Sequence, residues 1–231
     1  MLTQAIQDYL KIIYKLQGEG TGVTTNAIAD RLGVSAASVT NMIKKLARLR
    51  LVEHTPYRDV TLTSGGEKVA LEVIRHHRLL ELYLSDVLGV SLDRVDQEAE
   101  RLEHVLSEEL EERIAQSLGD PTLDPHGHPI PSREGTLDDL AYPVLADLHS
   151  GASAVIVRVS DRDAGVLRHL AADGLLPGAH LQVIGVDREG RMRVRLSAGE
   201  RNIPRELAKA VHVTAGPGMI PDRIRSSGRS E

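Results

Sequence analysis

The chain reads as a mainly α protein with a small β-barrel appendage. Three observations predict this. Apolar residues recur at helical spacing from about Gln4 to Ser117. Two short helical patterns meet at a single glycine, and a pair of β-prone segments follows them. From Ala154 the pattern changes to short β segments.

Residues 4–17 form an amphipathic pattern, with Ile6, Leu10, Ile13, Tyr14 and Leu16 close to one stripe, closed by Gly18, Gly20 and Gly22. Thr25–Leu32 is a second short helix. Gly33 breaks the chain, and Ser35 is placed to cap a third helix running to about Arg48. Helix, glycine turn, helix is the helix-turn-helix pattern. Segments 51–54 and 60–63, joined by Thr55–Asp59, predict a hairpin, the wing of a winged helix-turn-helix. Ser64 is expected to cap a long helix to about Leu88, and a second is expected over about 91–117. A short connection between two helices favours antiparallel packing. Residues 119–137 are loop-like, 137–148 a short helix or irregular, and 150–153 a linker. Strands are expected at 154–160, 180–186, 191–196 and 211–214. The expected domains are 1–74, 75–148 and 149–215, followed by a Gly, Ser, Pro and Arg-rich tail at 216–231 whose composition predicts disorder.

A net charge of −5 hides three unlike parts. Residues 1–75 carry 10 Lys/Arg against 7 Asp/Glu, residues 76–150 carry 5 against 17, and residues 151–231 carry 13 against 9. A basic first part suits phosphate contacts, and an acidic middle suits cations. The absence of cysteine excludes disulfides, Cys-based zinc sites and a cysteine nucleophile. No apolar run approaches the ~20 residues that span a bilayer, and the first residues lack the pattern of a secretion signal. A cytoplasmic protein is expected.

On the third helix Val39, Ile43 and Leu46 supply a buried stripe. Ser35, Ala37, Ser38, Asn41, Lys44, Lys45 and Arg48 lie outside it. A recognition helix offers small and polar residues to base edges and cations to phosphates. Asn41 suits adenine. Lys44, Lys45, Arg48 and Arg50 suit phosphates, as does Arg58 in the wing.

Glu100, Glu103 and His104 are spaced i, i+3, i+4. On one continuous helix they share a face with Asp96, within an arc of roughly 100°. Val95, Ala99, Leu102 and Leu106 form an apolar stripe beside it. His77 and Glu81, i and i+4 on the preceding helix, can face this group, and Asp8 lies on the first helix. Carboxylates with imidazole make a chelating surface for a divalent ion, although each pair alone is as often ordinary helix surface. Clustered carboxylates with histidine also build hydrolase sites, but no nucleophile motif or phosphate loop accompanies them and an enzyme has no need of the wing.

Asp8–Tyr14, Ile74–Glu81, Glu98–Val105 and the loop Asp124–Pro131 give residues 4–131 a resemblance to the diphtheria toxin repressor family of metal-dependent regulators. Residues 154–215 resemble the SH3-like (FeoA-like) domain of many members. The resemblance implies a homodimer with two metal sites per subunit that binds a palindromic operator in double-stranded DNA. It maps a primary site onto Asp8, Glu100, Glu103 and His104. A second site maps onto His77, Glu81 and Asp96, with a carboxylate from the SH3-like domain, Asp163. The Pro/Gly setting of His126 and His128 favours a loop role. Iron-responsive members typically carry Met and Cys at the positions of Asp8 and Glu100; hard carboxylates there favour Mn(2+). Lys11 stands where manganese-responsive members often have Glu, and argues against a binuclear cluster. The implied function is a manganese-activated repressor of manganese uptake genes, with no enzymatic activity. Iron-responsive repression, with Fe(2+), is the alternative, and other divalent transition metals are expected to substitute in vitro.

Overall fold

The structure, a computed structural model, describes residues 2–20, 22–53 and 59–215. The chain falls into two compact units. One comprises Met1–His77, Leu102–Leu106 and Pro131–Leu137; the other comprises Arg78–Arg101, Ser107–Ile130 and Asp138–Glu231.

The first unit opens with helices α1 (Gln4–Gly18), α2 (Thr25–Leu32) and α3 (Ala36–Arg48). Leu10, Ile13, Ile28, Val39, Ile43 and Leu46 are fully buried together, the outcome of an apolar stripe on each helix. The Thr24 hydroxyl accepts from the Ala27 amide and caps α2, and Ser35 does the same for α3 through Ser38. Gly33 ends α2 in the left-handed region, at φ 66°. Strands β1 (Val52–Glu53) and β2 (Thr61–Leu62) pair antiparallel, Val52 opposite Leu62. The wing hairpin is therefore present at its base; its loop, residues 54–58, lies outside the described residues.

Helix α4 spans Ser64–Asp86. Its cap is Thr63 rather than Ser64, because the Thr63 hydroxyl accepts from the Gly66 amide at 3.1 Å. A Cβ on Gly66 would lie 1.9 Å from the Leu51 carbonyl oxygen, so the helix can start against Leu51 only with glycine there.

The single helix expected over 91–117 is two: α5 (Leu92–Leu102) and α6 (Glu108–Ser117). Ser107 accepts from the Leu110 amide, and Glu108, Glu109 and Glu111 occupy the first turn of α6. That is a helix start favoured by both capping and the helix dipole. The signal was present in the sequence, masked by an apolar periodicity that carries across the break.

In the second unit five strands form an antiparallel sheet in the order β6-β5-β4-β3-β7. They are β3 (Ser153–Val159), β4 (His180–Val186), β5 (Met192–Leu196), β6 (Gly199–Ile203) and β7 (Val211–Ala215). Helix α7 (Ala164–Ala172) and the short α8 (Arg205–Lys209) complete the domain around a core that includes Ile156, Leu167, Leu170 and Val194. β6 was not expected from the sequence: Gly-Glu-Arg-Asn-Ile has no apolar alternation, and as an edge strand it is held by pairing with β5, Met192 opposite Ile203. Residues 138–148 are irregular apart from a single 3-10 turn at Leu145–Asp147. Among the described residues no helix is long and apolar enough to cross a membrane.

Candidate metal centre

Glu103 and His104 follow the last residue of α5 and lie in a turn, not on a helix face. The continuous helix expected through residues 100, 103 and 104 therefore ends at Leu102. What brings Glu103 and His104 to a common point is the bend between α5 and α6.

In the first unit that turn meets α1 and the end of α4's first half. His104 Nδ1 donates to the side-chain oxygen of Gln7 at 2.9 Å. This leaves Nε2 with a lone pair, buried without a hydrogen-bond partner, 2.8 Å from Asp8 Oδ1 and 3.3 Å from Glu103 Oε1. A lone pair aimed at two carboxylate oxygens repels them unless a proton or a metal cation stands between. Fixing one ring nitrogen by a hydrogen bond so that the other faces the ligand is the usual arrangement of a metal-binding histidine. Asp8, Glu103 and His104 therefore fit a divalent cation.

Both Glu103 oxygens are engaged. Oε1 accepts from Lys11 Nζ at 2.5 Å and Oε2 from His77 Nδ1 at 2.5 Å, while the Glu103 backbone carbonyl accepts from His76. Burial pushes the Glu103 carboxyl up, but the bond from His77 and the Lys11 charge outweigh it and hold it below the ordinary value. His77, assigned from sequence to the second site, is here a partner of Glu103. Asp96 and Glu100 are exposed, one turn apart on α5 in the other unit.

The second unit contains a distinct cluster. Glu81, on α4, faces His126 in the loop between α6 and the β domain, with His126 Nδ1 3.7 Å from Glu81 Oε1. His126 Nε2 donates to the Leu92 carbonyl at 3.3 Å, so Nδ1 is again the buried nitrogen without a hydrogen-bond partner. Asp124 Oδ1 accepts the amides of His126 and His128, which folds the loop tightly. Its Oδ2 and His128 Nδ1 are also buried without hydrogen-bond partners, 3.3 Å apart. Asp124, His126 and His128 can each bring one donor atom within 4.8 Å of the others. One carboxylate oxygen and two imidazole nitrogens suit a divalent first-row metal ion.

The loop role assigned to His126 and His128 is corrected: His126 is fully buried and both histidines turn inward. Asp163 is also corrected. Its carboxylate caps α7 by accepting the Gly165 and Val166 amides. The carboxylate of the β domain that approaches the cluster is Asp161, 3.9 Å from His128 Nδ1. The spacing Asp-x-His-x-His was the visible signal. Only the fold shows that it closes on Glu81, more than 40 residues earlier in the chain.

The candidate nucleic-acid face is on α3. Val39, Ile43 and Leu46 are buried, and Ser35, Ala37, Ser38, Asn41, Lys44, Lys45 and Arg48 are all exposed on the opposite side. Arg58 lies outside the described residues.

The chain matches the iron dependent repressor N-terminal DNA binding domain over residues 1–60. It matches the iron dependent repressor metal binding and dimerisation domain over 63–132 and the FeoA domain over 144–215. It is 33% identical to the iron-dependent repressor IdeR of Mycobacterium tuberculosis (strain ATCC 25618 / H37Rv), covering 92% of this chain and 97% of that protein. It is 31% identical to the diphtheria toxin repressor of Corynebacterium glutamicum, covering 92% and 96%. Among solved structures, it superposes on a manganese-dependent transcriptional repressor in complex with manganese at a TM-score of 0.82 and 36% identity, covering 91% of this chain and 99% of that one. The manganese regulator SloR follows at 0.71 and 29%, covering 91% and 98%.

Proposed function

Because this chain belongs to the iron-dependent and diphtheria toxin repressor family of metal-dependent transcriptional repressors, we propose that it is a manganese-activated repressor of manganese uptake genes. The family is one of regulators and not of enzymes, and the chain carries its DNA-binding and dimerisation domains. The observation that carries the choice of manganese is the donor set. Both clusters offer only carboxylate oxygen and imidazole nitrogen, in a chain with no cysteine. Hard oxygen donors suit manganese better than sulfur-containing sites do.

The first site is proposed on Asp8, Glu103 and His104. The second is proposed on Glu81, Asp124, His126 and His128, with Asp161 beside them. A divalent ion supplies the positive charge that facing carboxylates and imidazole lone pairs require. Asp8 belongs to the first helix of the DNA-binding segment, so holding Asp8 against the 103–104 turn restrains that helix. In a dimer, this restraint sets the spacing of the two recognition helices on a palindromic operator. By linkage, operator DNA raises metal affinity by the same factor that metal raises DNA affinity.

The second reading is an iron-responsive repressor, favoured by the iron-dependent relatives and by the general affinity order, in which iron exceeds manganese. One experiment separates the two. Metal-free protein is mixed with sheared DNA from its source and manganese or ferrous iron, and the retained DNA is sequenced. Enrichment of a palindrome near manganese transport genes with manganese supports the proposal. Enrichment with iron alone replaces it with the iron reading, and none with either ion rejects both.

A further inference from the structure

Lys11 is an unusual neighbour for a cation site. It is 3% exposed, on the buried face of α1, and its ammonium lies 2.5 Å from an oxygen of Glu103, itself 1% exposed. The same oxygen, Oε1, stands 3.3 Å from His104 Nε2, the atom free to bind a metal. One carboxylate oxygen is thus shared between a fixed protein cation and the point where a divalent ion is proposed to sit.

We propose that Lys11 is an internal competitor that weakens divalent-ion binding at Asp8, Glu103 and His104 and so sets the metal concentration at which the repressor fills. This rests on the first-site reading above. The argument is one of charge. An unpaired carboxylate as deeply buried as Glu103 is costly. The Lys11 ammonium, 2.5 Å from Oε1, supplies a counter-charge that holds the Glu103 carboxylate in place before any metal arrives. The same charge repels an ion that shares the oxygen, and in a water-poor site this repulsion is weakly screened. The residue therefore trades affinity for a preassembled site. An uncharged residue at position 11 reverses the trade: metal binds more tightly and the metal-free state is less stable.

The test is a manganese titration of the full-length protein, following the paramagnetic resonance signal of free Mn(2+). Wild type, Lys11→Met, Lys11→Gln and Lys11→Arg are compared, with the second class of site identified by its loss in His126→Ala. Lys11→Met and Lys11→Gln are expected to bind at the first site about tenfold more tightly or better, with a lower melting temperature before metal is added. Lys11→Arg, which keeps the charge, is expected to stay within about threefold of wild type. Should Lys11→Met fail to fold, Lys11→Gln decides, since its amide can still donate to Glu103. Unchanged or weaker binding in folded Lys11→Gln overturns the role of Lys11. A His104→Ala protein that binds manganese with the full wild-type stoichiometry and affinity overturns the site itself, whatever Lys11 does.

Discussion

His104 Nε2 lies 2.8 Å from Asp8 Oδ1, and the two residues are 96 positions apart in the chain. The contact joins the first helix to the turn between α5 and α6. In the proposed mechanism it is the point at which metal occupancy reaches the DNA-binding segment.

Replacing either partner should uncouple the two. In Asp8→Ala and His104→Ala, metal affinity at the first site is expected to fall by about a hundredfold or more, the upper range for disturbing even the outer partners of metal ligands. Operator binding should then lose its response to manganese. Fluorescence anisotropy with labelled operator, across a manganese series, measures this. Full retention of manganese dependence in Asp8→Ala would remove Asp8 from the coupling.

The second cluster should titrate separately. His126→Ala is expected to lower the number of manganese ions bound per chain by one while leaving the first site filled, as counted by equilibrium dialysis. A loss of both sites in a folded variant would mean that the clusters are not independent.

Protons and metal compete at His126. Burial opposes the charged ring, but the carboxylates of Glu81, Asp124 and Asp161 outweigh it and raise its pKa above the ordinary value. In the metal-free protein a raised histidine contributes stability that is full below about pH 6.5, its unfolded value, and is lost as pH rises through the folded value. Metal binding needs the deprotonated ring, so affinity at this site should rise with pH over the same window. Asp124 behaves oppositely. Burial raises its pKa, but His128, Arg78 and His126 hold it far below the carboxylate range. Its contribution is full above about pH 4 and is lost only as pH falls well below that. Chemical denaturation of metal-free wild type and His126→Gln between pH 5 and 8 checks the first statement: the variant should show a flatter pH dependence.

Gly127 should tolerate no side chain. Its φ is +87°, and an added Cβ would stand 2.0 Å from the Val157 carbonyl oxygen. The amide of Val159 donates to the His126 carbonyl beside it, so the loop lies directly on β3. Gly127→Ala is expected to cost about 1–3 kcal/mol by overpacking, and more if the backbone cannot relax. It should also weaken the second metal site, which calorimetric melting with and without manganese would show.

On the recognition helix the expected effects divide by residue type. Lys44→Ala and Lys45→Ala should weaken binding to all DNA sequences and lower the salt slope by about one each. Asn41→Ala should cost about 1–3 kcal/mol at one operator position and relax discrimination there. Binding to matched and mismatched operators at several salt concentrations distinguishes the two patterns.

The helix-turn-helix was legible because local signals agree there. Thr24, Gly33 and Ser35 punctuate the helices, and Val39, Ile43 and Leu46 mark the buried face of α3. The change to β structure after Ala154 was equally plain, although β6 has no apolar alternation and appears only through its partner β5. The break at 103–107 is hidden because apolar spacing continues across it, although Ser107 caps α6.

The sequence by itself determined the helix-turn-helix, the exposed face of α3, the change to β structure after Ala154 and the carboxylate-and-imidazole donor chemistry. Only the tertiary structure decided which donors meet. His77 turns to Glu103 and Glu81 to His126, although the two lie one turn apart on α4. Asp163 is consumed as a helix cap, and Asp161 takes the approach to His128. Helix and turn preferences are set by neighbours within a few residues. The partner of a buried charge is set by which elements the packed cores bring together, and no local spacing encodes that.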